Sequence, residues 1–121
     1  MDKQQLPPPP ERVWRAVVSL IKRETQKWKS RPFVIYPIPS FALGIDTDDY
    51  PRVSIHVDMD RPTRAIMFEA SMQYSPGSIT KTMRGMFVPI EDKPWTYQSQ
   101  AGDKFQLYEI VRLIFGILSG S

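Results

Sequence analysis

The sequence predicts an α+β domain with an N-terminal amphipathic helix, an antiparallel meander of about five or six strands and an apolar C-terminal helix. Both helices are expected on one face of the sheet. Three observations predict this. From Arg52 to Val88, apolar and polar residues alternate in the runs RVSIHVDMD, RAIMFEASMQY and ITKTMRGMFV. Such period-two alternation marks half-buried strands. Residues 11–30 instead repeat apolar side chains at helical spacing. Residues 103–118 do the same with almost no polar face.

The chain has 121 residues, enough for one domain with a substantial core. Its 41% apolar and 24% charged residues are ordinary for a soluble globular protein. It contains no cysteine, which excludes disulfides, thiolate chemistry and cysteine-held zinc. The opening MDKQQLPPPP lacks the apolar stretch of a signal peptide. No window reaches the roughly 18 apolar residues of a membrane helix. A cytoplasmic protein without a membrane span is the expectation.

Residues 1–10 form a proline-rich leader, 11–118 the single domain and 119–121 a frayed end. The four prolines at 7–10 favour polyproline II, and Pro10 is placed near the first position of the helix. Such a run also fits SH3- or WW-type grooves, but no defined flanking motif accompanies it.

In the first helix Val13, Trp14, Val17, Val18, Leu20, Ile21 and Trp28 share an arc of roughly 160°. Arg12, Arg15, Lys22, Arg23, Lys27 and Lys29 lie opposite. Residues 11–31 hold seven basic and two acidic side chains, so the positive charge concentrates on this helix. A basic face invites contact with nucleic acid. Base stacking would need exposed aromatics, and both tryptophans fall on the apolar arc. A solvated outer face is the simpler reading.

Residues 33–45, FVIYPIPSFALGI, read as two short strands. Pro37 and Pro39 confine them to an edge or a bulge, because proline cannot donate to the ladder. DTDDYP at 46–51 gathers three carboxylates. As an EF-hand it would need glycine and glutamate where Pro51 and Val57 stand, so a loop with Asx turns is predicted.

In the meander Val53, Ile55, Val57 and Met59 share one face, as do Ile66, Phe68, Ala70 and Met72. The turn Ser75-Pro76-Gly77-Ser78 suits type II geometry. Centred there, the hairpin sets Ala70 opposite Met83, Ile66 opposite Phe87 and Glu69 opposite Arg84. The DRPT turn at 60–63 allows two registers, one of which sets His56 opposite Glu69. Trp95, Tyr97 and Ser99 alternate on a last short strand, and Asp103 with Gln106 forms a capping-box variant for the second helix.

The sequence's candidate for chemistry is the row His56, Glu69 and Arg84 on the polar sheet face. A histidine beside a carboxylate is a general-base arrangement, and arginine can clamp an anion. Cross-strand charge pairs are also routine on solvated sheets. His56 is the sole histidine, and no phosphate loop or nucleophile motif is present. No catalysis, metal or cofactor is expected.

Ten of the fourteen residues from Phe105 to Leu118 are apolar, an arc of roughly 220° without Phe105. Lying on one core takes little over 100°. The excess predicts a protein interface at Ile110, Leu113, Ile114, Phe115 and Ile117, with a two-fold homodimer as the usual solution. Ile110 and Leu113 mark one edge of the arc, and Tyr108, Val111 and Phe115 the other. A strongly curved sheet that buries the whole arc would also account for it. The function expected is a non-enzymatic interaction module that self-associates or binds another protein. The alternative is a small-molecule or lipid-binding domain, with methionines such as Met59, Met67, Met72, Met83 and Met86 lining a cavity between sheet and helices.

Overall fold

A computed structural model describes residues 8–28 and 32–119 of the chain, with side chains through Gly116. Helix α1 spans Pro10–Thr25. Seven strands follow: β1 Phe33–Ile38, β2 Ala42–Thr47, β3 Arg52–Met59, β4 Ile66–Gln73, β5 Lys81–Pro89, β6 Thr96–Ser99 and β7 Lys104–Gln106. Helix α2 spans Leu107–Ser119. The strands form one antiparallel sheet in simple meander order, β1 to β7. The α+β architecture is as predicted, with a slightly higher strand count.

The meander pairs in the predicted register. Ala70 faces Met83, Glu69 faces Arg84 and Ile66 faces Phe87. Gly77 takes φ +83° and the Ser78 amide donates to the Ser75 carbonyl, which closes the turn. Of the two DRPT registers the chain adopts the one that pairs His56 with Glu69. Asp60 fixes that turn by accepting from the Thr63 amide and hydroxyl, which hold its carboxyl below the usual range.

The core lies between one sheet face and the two helices. Val53, Ile55, Val57, Met59, Ile66, Phe68, Ala70 and Met72 meet Val13, Val17 and Ile21 of α1 there. They also meet Leu107, Ile110, Val111, Ile114 and Phe115 of α2. Trp14 and Val18 pack against this cluster, as the helical arc predicts, and Trp28 does so from beyond the helix end. β1 is an edge strand, consistent with Pro37 and Pro39. Among the described residues, no helix is long and apolar enough to cross a membrane.

Four expectations are corrected. Helix α1 stops at Thr25 rather than running to residue 30. The Thr25 hydroxyl turns back to the Lys22 carbonyl, and tight bonds from the Lys27 and Trp28 amides close the helix. Trp28 then reaches both Phe33 and Phe115, at 5.6 and 5.5 Å between ring centres. Residues 104–106 are a strand, not the first turn of α2. Gly102 at φ +94° lets β7 fold back on β6, and Phe105 packs edge-on against Phe87. The cap moves with it: Glu109 accepts from the Gln106 amide at 2.7 Å, half of a capping box begun at Gln106. Finally, Met83 is 43% exposed despite its inward parity, in a first half of β5 that is exposed at every residue.

Candidate functional site

Two surfaces gather the residues singled out by the sequence: the open face of the sheet and the outer face of α2.

On the open sheet face the strand pairing aligns Tyr36, Gly44, His56, Glu69 and Arg84 in one row. The sequence suggested its last three members. The first two were hidden by a β1–β2 turn that carries Ser40 and Phe41 at positive φ instead of glycine or asparagine. At Gly44 an added Cβ would lie 2.3 Å from the Tyr36 ring, so any larger residue would push the end of that side chain aside. Partial desolvation, with the Asp46 carboxylate next, raises the Tyr36 phenol above its ordinary pKa.

Within the row, Arg84 donates from Nε to Glu69 Oε2 at 2.5 Å. The His56 Nε2 instead lies 3.5 Å from Asp58 Oδ2, two residues along the same strand face. Met67 and Met86 stand opposite each other beside these groups. Together with Asp58 and Gln100 they line an open depression of about 370 Å³. The His–carboxylate pairing is with Asp58, while Glu69 pairs with Arg84. The imidazole is about half-exposed and the Arg84 side chain largely solvated. No cluster of three metal-ligating side chains occurs among the described residues.

The basic face of α1 is solvated. Arg12, Arg15, Lys22 and Arg23 are exposed, and so is Lys27 just past the helix end, where it pairs with Glu24 at 3.1 Å. Arg12 lies over the Trp95 ring at 5.7 Å. Lys29 lies outside the described residues. Trp14 and Trp28 pack partly buried against the core.

On α2 the predicted interface divides. Ile110, Ile114 and Phe115 are buried in the chain's own core, with Ile110 only 1% exposed. They are not available to a second chain, because the sheet and α1 already cover them. The side chain of Ile117 lies outside those described. Leu113 remains exposed at 39%, and Tyr108 on the other flank at 48%. Between them run Glu109, Arg112 and Gly116, and with Phe105 they line a shallow groove of about 580 Å³. The Arg112 guanidinium stacks 5.5 Å from the Tyr108 ring centre. The core edge of the helix was not legible in sequence, since an apolar arc of this width has no obvious centre.

No protein-family model, no curated protein and no solved structure matches this chain.

Proposed function

We propose that this domain is a non-enzymatic interaction module that self-associates through the outer face of α2. One observation carries the reading. After α2 has buried five large apolar side chains in its own core, it still presents Tyr108 and Leu113 on either side of a groove. Scattered exposed apolar residues are normal on any protein. Two large ones bracketing a groove, on a helix rigidly held by its own core, form an interaction surface. Closed two-fold pairing is the commonest use of such a patch.

Sedimentation equilibrium over a micromolar dilution series tests this. A concentration-dependent approach to twice the chain mass is expected. A single monomer mass throughout would refute self-association.

A further inference from the structure

We infer that the depression on the open sheet face binds cuprous ion, with the thioethers of Met67 and Met86 and the imidazole of His56 as ligands. The site lies on the sheet face turned away from the helices, so it stands independently of the α2 surface.

Two methionines interrupt the polar side of the sheet. Strand parity sends Arg52, Ser54, His56 and Asp58 of β3 to the open face, with Met67, Glu69, Ser71 and Gln73 of β4 beside them. Met67 alone among these is apolar. Its partner across the β4–β5 pairing is a second outward methionine, Met86. Both are partly buried and both line the depression. Cross-strand partners hold their Cβ atoms about 4.5–5.5 Å apart. Two unbranched, flexible thioethers at that spacing can turn their sulfurs to a common point.

The strand register brings a nitrogen to the same place. His56 pairs with Glu69 and Asp58 with Met67, so His56 and Met67 are diagonal neighbours. Long side chains reach one another across that diagonal. The His56 Nε2 leans toward Asp58, and therefore toward the pair that contains Met67.

The local charges accept a cation. The Arg84 guanidinium would repel one, but Glu69 pairs with it. Asp58 also lines the depression, and its Oδ1 is shut off from solvent without a hydrogen-bond partner. A carboxylate oxygen left in that state is costly, and a cation beside it offsets the cost.

The donor set selects the metal. Histidine, cysteine and carboxylate side chains nowhere gather in threes among the described residues, so a set of three at this depression is completed by thioether. Thioether sulfur is a soft ligand that favours Cu(I), and imidazole suits copper as well. Carboxylates and water favour hard ions instead.

Anaerobic titration of the whole chain with cuprous ion tests the site, read by NMR on isotope-labelled methionine methyl groups. One ion per chain is expected, with the Met67 and Met86 methyls shifting. The methyl of Met83, whose parity faces the other way, should stay in place. Met67→Leu and Met86→Leu conserve volume and are expected to keep the fold. Each should weaken binding about tenfold or more, since even an outer partner of a metal is worth that much. His56→Gln should weaken it too, and Met83→Leu should leave it unchanged. Zinc ion added in equal amount should not displace the copper. Shifts spread evenly over all methionines, an affinity unchanged when Met67→Leu and Met86→Leu are combined, or displacement by zinc would overturn the proposal. The wild-type methyl shifts decide it even where a variant fails to fold.

Discussion

The two helices dock on the same sheet face and against each other, yet their outer faces are built in opposite ways. Helix α1 buries Val13, Val17 and Ile21 and turns arginine and lysine outward. Of those charges Arg12 is engaged locally by the Trp95 ring, and Glu24 of the helix pairs with Lys27 just past its end. Helix α2 buries Leu107, Ile110, Val111, Ile114 and Phe115 and still turns Tyr108 and Leu113 outward. Docking on the core accounts for the buried residues of both helices and leaves Tyr108 and Leu113 of α2 exposed. Under the proposed self-association, that apolar surface would meet a second copy of the chain.

The sharpest way to break this contrast is to exchange its two sides within α2. Ile110→Ala should lower stability by about 2–5 kcal/mol, the usual range for a buried isoleucine truncated to alanine. Leu113→Ala should cost under about 1 kcal/mol when measured on the monomer. Urea unfolding of both variants checks this. Equal losses would mean that Leu113 belongs to the core and that α2 has no outward apolar side.

Alkaline pH probes the floor beneath α2. Tyr97 is buried opposite Phe105, the strand residue that leads into the helix. Burial pushes its phenol up to about 12, with Arg64 opposing. The unfolded phenol ionises near 10. Stability is therefore fully present below about pH 10 and falls as pH rises towards 12, because the unfolded chain sheds the proton first. Tyr97→Phe should flatten that decline. An unchanged alkaline profile would show that the ring is not sealed beneath the helix.

Gly116→Ala separates the two demands on α2. It should raise helix stability by about 0.5–1 kcal/mol, since alanine is the better helix former and its Cβ has room. It should weaken self-association at the same time. A gain in both would place the groove outside any interface.

The smallest effects belong to the open sheet face. Glu69→Ala and Arg84→Ala should each cost less than about 1 kcal/mol, as exposed pairs do. A larger loss in thermal unfolding would mean that this row is covered by a partner in solution, and that α2 is not the chief interface.

How much of this was legible depended on local signals. The β3–β5 register could be read because Pro76 and Gly77 fix one turn and strict alternation fixes the faces. The Glu69–Arg84 pair followed directly. The row's extension to Gly44 and Tyr36 could not be read, since the turn before β2 puts serine and phenylalanine at positive φ. Strand β7 was absorbed into the helix pattern because three residues carry too little periodicity to distinguish strand from helix. Asp103 and Gln106 also fitted a cap template that the chain uses one box later, at Gln106 and Glu109. The candidate interface was legible as a surplus of apolar residues. Which of them face the core depends on the curvature of the sheet and the placement of α1, and neither is written in α2 itself.

The central claim is that the outer face of α2, unlike that of α1, receives a second copy of the chain. Static light scattering at micromolar concentration tests it most directly, comparing the wild type, Leu113→Glu and Arg15→Glu side by side. A dimer is expected for the wild type and for Arg15→Glu, and a folded monomer for Leu113→Glu. A wild-type monomer, or dissociation by Arg15→Glu with Leu113→Glu still dimeric, would contradict it.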